Sequence, residues 1–394
     1  MQNKMNYSLV ATFAGATLAF LIGSGFASGQ EILQYFTAYR YESILVALTA
    51  IAVMVFANYC FILAGNREKF TRGSEVFKFY CGPTIGLAFD YFAAIFCYMS
   101  FVVMLGGMGA TMTQQFGLPH WTGAAAMALI AGATVVLGLK AMVNVISKIG
   151  PIIVGLSLLI GLSSLISVFS RIPAGAALLA DGEVTVMKAS TNWFFAGCSY
   201  GGFCMMWLAG FMAKLGSEYR PKELQLGQTI GVAGLLLACV VVGFAQLGNI
   251  GQVAGTQVPN LILAQQLSPT LAHGFALLIV LAIYSSACPL LWTVSARFST
   301  EGSPGFRLLT AALALAGLLV ALKVPFNTLI NYIYVINGYG GALLIFFMAI
   351  KLIRLKSAKE KAAGRWRLLK RHDLIALSSA QAGATDHSDK VGCN

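Results

Sequence analysis

Ten stretches of this chain, near residues 8–36, 43–64, 84–115, 122–139, 149–169, 188–213, 226–248, 271–296, 306–322 and 328–353, are apolar and bounded by charges or turn residues. Runs of about 20 residues match a hydrocarbon core ~30 Å thick at ~1.5 Å of rise per helical residue. Hydrocarbon offers no partner to a backbone N–H or C=O, so only helices and closed barrels cross it. The runs are twice as long as the ~10-residue alternating segments of an outer-membrane barrel. They predict an all-α polytopic membrane protein with ten transmembrane helices. Only 10% of the 394 residues are charged, against ~25% in a soluble domain. The first run is too long for a signal-peptide core, and Gln30 and Glu31 interrupt it without a clear cleavage site. It is therefore expected to be the first span.

Lys and Arg set the orientation. With the N-terminus inside, the cytoplasmic side receives all of the 26 basic residues except Arg40, Arg171, Lys188 and Lys323. Both termini are then expected to be cytoplasmic, in a multi-pass protein of the cell membrane. The net charge of +12 does not point to nucleic acid, because ten basic residues follow position 350. The segment from Lys351 to Arg371, with Trp366, Leu368 and Leu369 among its basic residues, is either an amphipathic helix on an anionic leaflet or a tail that enforces topology. Beyond about Ser378 the composition predicts disorder. Cys60, Cys97, Cys198, Cys204, Cys239 and Cys288 fall in the predicted spans, Cys81 at an edge and Cys393 in the tail. No CxxC or Cys/His spacing points to a metal or disulfide framework.

The first span carries the least expected residues, in Gly23-Ser-Gly-Phe-Ala-Ser-Gly-Gln-Glu31. Polar groups at that depth are tolerated only where they face protein or a water-filled cavity. A continuous helix from Ser8 to Phe36 would run ~43 Å, which calls for a steep tilt or an unwound segment. Starting near Ser8, the chain reaches the midplane after ~10 residues or somewhat more, close to Gly23–Gly25. The competing reading is an unbroken helix with a packing seam, since Ala11, Gly15, Ala19, Gly23 and Ala27 recur every four residues. That seam does not account for Ser24, Ser28, Gln30 and Glu31.

The sixth span holds a second glycine-polar run, Gly197-Cys-Ser-Tyr-Gly-Gly202, also at mid-depth. Two units of five helices, an odd number, insert in opposite orientations, and secondary transporters built that way bind solute between two broken helices at the midplane. The sequence thus predicts a first five-helix repeat over 8–170, an inverted second over 188–355, breaks in helices 1 and 6, and a tail over 356–394. Freed N–H groups at such a break suit a carboxylate, and freed C=O groups suit Na⁺. Gly23, Ser24, Gly25, Ser28, Gly29, Gln30, Gly197, Ser199, Tyr200, Gly201 and Tyr98 are the candidate substrate-binding residues. Trp193, Asn192, Asn331 and Asn337 are weaker cavity candidates.

In the eighth span, Ser285 and Ser286 offer hard oxygen ligands, and Pro289 frees a carbonyl one turn earlier. The alternative is that both hydroxyls bond back to their own helix. Two carboxylates lie well inside the spans. Glu31 is a proton carrier, gate residue, ligand for a substrate amine, or cap of a half-helix. Asp90 is expected at an edge or as an inner-gate partner. There is no nucleotide-binding loop of the Walker type, and no positioned acid–base or nucleophile set unless Glu31 and Asp90 converge, so an enzyme is not expected.

The helix-1 motif, with Tyr200-Gly-Gly202 and Asn337-Gly-Tyr-Gly340, resembles the YkvI-type membrane proteins, related to the amino acid-polyamine-cation transporters. The resemblance spans about residues 8–355. It implies the LeuT-like fold of five-plus-five inverted repeats, and a sodium site built from helix-1 carbonyls and helix-8 hydroxyls, here Gly23, Phe26, Ser285 and Ser286. Helix 1 lacks the asparagine that holds a second sodium in the neurotransmitter-type branch. The expectation is a cation-coupled secondary transporter for a small polar solute, most simply an amino acid or related zwitterion. Na⁺ or H⁺ would be the coupling ion, with no other cofactor and with the lipid bilayer as its setting. A ligand-binding sensor or scaffold, a proton-coupled transporter using Glu31 and a passive channel are the alternatives.

Overall fold

The computed structural model describes residues 5–137 and 139–385, and among them there are helices and no strand. In chain order the helices are α1 Tyr7–Leu21, α2 Ser24–Ser28, α3 Gln30–Tyr35, α4 Ser43–Glu68, α5 Glu75–Phe116, α6 His120–Leu137, α7 Leu139–Val168 and α8 Ile172–Ala180. They continue with α9 Trp193–Glu218, α10 Pro221–Gly248, α11 Ile250–Val253, α12 Pro259–Leu267, α13 Pro269–Phe298, α14 Pro304–Lys323 and α15 Phe326–Thr385. Nine helices among the described residues are long and apolar enough to cross a membrane. The first predicted span is not one of them, because it is divided into α1, α2 and α3. Each of the other nine predicted spans overlaps one of these helices.

Local chemistry places the helix ends. Asn6 caps α1 by accepting from the N–H groups of Ser8 and Leu9. Proline opens α10, α12, α13 and α14, where its missing N–H costs nothing. In α5, Gly82 at φ 80° precedes Pro83 and breaks the helical path. The membrane-crossing part of that helix therefore starts where the apolar run does, near residue 84.

The sixth span differs from expectation. Its helix, α9, is continuous from Trp193 to Glu218, and the glycines expected to unwind it are used for packing. A Cβ on Gly197 would meet Thr49 and the Val46 carbonyl of α4, and one on Gly201 would meet Val53. Gly202 and Gly341 let α9 and α15 touch backbone to backbone. Further along, Gly216 lies on the Ile62 carbonyl and Gly65 on that of Ala213. Small residues on one face bring membrane helices close enough for dispersion to hold them. Likewise α10 presents Gly227 and Gly231 to Val10, Ala14 and Thr17 of α1.

Contacts divide the chain into two units, Met1–Ile345 and Phe346–Asn394. The second begins within α15, which runs on through Thr385 where composition predicts a disordered tail from about Ser378. Its run of Ala, Leu, Lys and Arg is made of strong helix formers. Lys4, Lys390 and Cys393 lie outside the described residues.

Candidate functional site

The first span breaks twice. Ile22 (φ −86°, ψ 114°) and Gly23 (φ −121°, ψ −168°) are extended, so the hydrogen-bonded ladder of α1 stops before α2 begins. Gly29 then takes the left-handed conformation at φ 83°, which glycine reaches at no steric cost, and re-aims the chain into α3. All residues from Leu21 to Tyr39 are buried.

Buried polar side chains satisfy most of what the breaks release. Asn260 Nδ2 of α12 donates to the carbonyls of Phe26 (3.2 Å) and Ala27 (3.4 Å). Gln246 Nε2 of α10 donates to the Gly29 carbonyl and to Asn260 Oδ1, each at 3.0 Å. Thr37 in turn donates to Gln246 Oε1 at 2.9 Å. Ser28 Oγ donates to the Gly25 carbonyl and accepts from the Gln30 N–H. The Ser24 N–H donates to Met104 Sδ at 3.3 Å.

On one side of the break lies a cavity of about 730 Å³. Ile22, Gly23, Met104, Trp207, Ser285 and Ser286 line it, and it reaches the charged residues Arg72, Asp90, Lys214 and Arg297. Asp90 and Arg297 form an ion pair at 2.7 Å, and the guanidinium sits 5.0 Å above the Tyr91 ring. The other side of the break is filled by amides. Gln34 donates to the Asn327 carbonyl at 2.9 Å and accepts from Asn331 at 3.0 Å. Gln257 and Asn327 exchange two hydrogen bonds, as do Gln114 and the backbone of Val258.

Glu31, on the first turn of α3, is 2% exposed. Its Oε1 accepts from the Tyr200 hydroxyl at 3.2 Å, and its Oε2 lies over Gly25, where any Cβ would collide. Rings surround it: Tyr35 and Phe36 pack edge-on to Tyr200, Phe203 stacks on Tyr334 at 4.7 Å, and Trp207 meets Tyr334 edge-on at 5.7 Å.

Gly23, Ser285 and Ser286 thus share the cavity wall. Ser286 Oγ donates to the Ile22 carbonyl at 2.9 Å, while Ser285 Oγ bonds back to Ala282. Phe26 is absent from that wall, and its carbonyl is committed to Asn260 and the Gly29 N–H. Ser24, Gly25, Ser28, Gly29 and Gln30 all lie on the buried two-break segment. Tyr200 reaches Glu31, and Ser199 faces the Tyr35 hydroxyl at 3.4 Å. Gly197 and Gly201 face α4 instead. Tyr98 donates to the Leu313 carbonyl of α14, away from the cavity. Asn192 caps α9, Asn337 donates to the Phe203 carbonyl, and Asn331 belongs to the amide cluster. Glu31 and Asp90 do not meet: one is held by Tyr200, the other by Arg297. Asn260 and Gln246 are absent from the sequence-based site, because a single amide in an apolar setting carries no periodic signal.

The architecture is the LeuT-like fold of membrane transporters. MhsT in its complex with L-phenylalanine superimposes with a TM-score of 0.62, at 14% identity, over 85% of this chain and 87% of that one. A Na⁺-coupled sialic acid symporter in a substrate-bound outward-open state gives 0.51, also at 14% identity, over 89% of this chain and 82% of that one. In sequence, the uncharacterized protein YyaD of Bacillus subtilis (strain 168) is 28% identical over 137 residues, which is 35% of this chain and 39% of YyaD's own length. No protein-family model matches the chain.

Proposed function

We propose that this multi-pass membrane protein is a cation-coupled secondary transporter of a small polar solute, working by alternating access. The observation that carries the reading is the doubly broken first span, with a cavity of about 730 Å³ ending on Gly23 and amides filling the other side. Irregular backbone in a bilayer is tolerated where it lines such a cavity, and a site reached from one side only is one state of an alternating pair. With the N-terminus cytoplasmic, as the placement of Lys and Arg favours, the cavity opens inward and the Asp90–Arg297 pair stands at its mouth.

The Ile22 carbonyl with Ser285 and Ser286 is our candidate for the Na⁺ site, since hard cations prefer oxygen ligands. Gly23, Ser24, Gly25 and Tyr200 are our candidates for contact with solute. The repeat boundaries 8–170 and 188–355 and the YkvI-type kinship belong to the same reading. The test is uptake into liposomes holding the purified chain, with Na⁺ and pH gradients imposed separately. A Na⁺ gradient is expected to drive accumulation of a small solute from an amino acid and amine mixture; uptake that ignores both gradients would mark a passive channel, and binding without uptake a sensor.

A further inference from the structure

A second pocket, of about 260 Å³, lies apart from the cavity on which the transport reading rests. Its wall joins the end of the first span, at Ala38 and Arg40, to Leu179 of α8 and to Thr185 and Lys188 in the loop that follows. With the N-terminus cytoplasmic, as above, this end of the molecule faces outward. The lining residues include two cations and no acid. No ion pair or side-chain hydrogen bond among the described residues engages the Arg40 guanidinium or the Lys188 ammonium group. Asp181 and Glu183, the acids of the same loop, are exposed and pair with neither.

Both cations are positioned by the backbone. Arg40 sits at φ 54° and ψ −127°, the conformation of the first central residue of a type II′ turn, where glycine is the favoured residue. A side chain persists in that region only where the surrounding structure over-determines it, and such positions cluster at ligand clamps and switches. Next to it, the buried Tyr39 grips the loop. Its hydroxyl donates to the Ser190 carbonyl at 2.6 Å and accepts from the Ser190 N–H at 2.8 Å. The Ala189 N–H donates to the Gln34 carbonyl at 3.2 Å, and Asn331 Nδ2 donates to the Lys188 carbonyl at 3.2 Å. The main chain at Lys188 is thus fixed over the amides that fill the outer side of the break, while its side chain stays free at the pocket wall. Two like charges on one wall repel, which works against the contact between strap and span. An anion between them reverses the sign. A guanidinium presents paired N–H donors that match the oxygens of an oxyanion, and an ammonium group adds a point charge.

We propose that this outer pocket binds a small oxyanion of the phosphate or sulfate type, bridging Arg40 and Lys188 and pinning the strap over 184–190 to the end of the first span. The site goes beyond the transport reading and stands without it, sharing with it only the side of the membrane it faces. An occupied pocket holds the outer face closed.

The test uses the full chain, delipidated in dodecyl maltoside, with sodium sulfate, inorganic phosphate and sodium chloride titrated at matched ionic strength. Sulfate and phosphate are expected to raise the melting temperature saturably by several degrees, and chloride by under about one degree. Arg40→Gln and Lys188→Gln are each expected to raise the half-saturating sulfate concentration about tenfold. Arg40→Gly removes the cation and relieves the backbone together, so it is expected to melt no lower than the unaltered chain without anion and to lose the sulfate response. Hydrogen exchange over 184–190 is expected to slow several-fold in sulfate. Equal shifts with chloride, a full sulfate response in folded Arg40→Gln and Lys188→Gln proteins, or exchange over 184–190 that sulfate leaves unchanged would each overturn the proposal. Should Arg40→Gln fail to fold, Lys188→Gln, at an exposed position, still decides. Nanodiscs of phosphatidylglycerol separate the two sources of such a group. A sulfate response that persists in them assigns the pocket to a free ion, and one that is lost there but present in detergent assigns it to a lipid phosphate.

Discussion

Ser286 Oγ donates a 2.9 Å hydrogen bond to the carbonyl of Ile22, joining α13 to the first extended residue of the break across 264 positions of sequence. The bond sits on the cavity wall, so whatever pulls on one helix is felt by the other. If Na⁺ is held there, the double change Ser285→Ala and Ser286→Ala removes two oxygen ligands. The Na⁺ concentration for half-maximal uptake is then expected to rise about tenfold, the equivalent of ~1.4 kcal/mol. A folded double variant with an unchanged Na⁺ dependence would contradict the site.

Gly29 tests the second break. At φ 83° a Cβ is strained, and here it would also run into the Asn260 and Gln246 side chains. Gly29→Ala is expected to cost more than the ~1 kcal/mol of conformational strain alone, lowering the melting temperature by several degrees. Gly251→Ala, at a glycine whose Cβ would meet open space, serves as the control and is expected to leave it within about a degree.

The amides that receive the broken segment are expected to act as a unit. Asn260→Ala leaves the Phe26 and Ala27 carbonyls without that donor, and Gln246→Ala does the same for Gly29, each at a cost of ~1–3 kcal/mol. Because Gln246 also donates to Asn260, the double variant should be less destabilised than the sum of the two. Chemical denaturation of the four proteins reads the coupling, and strict additivity would argue against a shared network.

Asp90 and Arg297 make the opposite case. Their side chains are 14% and 31% exposed, and Asp90→Asn keeps an oxygen that can still accept from Arg297, so the change is expected to cost only about 1–2 kcal/mol of stability. The expected effect is on access: thiol labelling of the cavity in the Asp90→Asn protein should speed up several-fold. A large fall in melting temperature with unaltered labelling would make the pair a structural clamp instead.

The spans were legible because hydrocarbon sets both the length of a crossing helix and its polarity. The break at Gly23 was legible because serines, a glutamine and a glutamate accompany its glycines. The same glycine signal misleads at Gly197–Gly202, where close packing on Thr49, Val53 and Gly338 uses the residues expected to unwind. Composition does not separate a glycine that lets a helix end from one that lets two helices touch. Asn260 and Gln246 carry no sequence signal because they are joined to Gly29 only by the fold, and Tyr98 turns to α14 rather than to the cavity, a choice of face that one aromatic on a helix does not reveal.

The account turns on the broken span being exposed to each side in turn. Two single-cysteine proteins, with native cysteines replaced by serine, report on it: Ala93→Cys in the cavity wall, and Thr111→Cys, buried on α5 one turn beyond Gly107, which touches Ser24. Labelling by a membrane-impermeant maleimide is measured while Na⁺ and a mixture of small solutes are varied. The account predicts that the two rates move in opposite directions, one rising as the other falls. Rates that rise and fall together, or an Ala93→Cys rate that never changes while Thr111→Cys stays protected, would contradict alternating access.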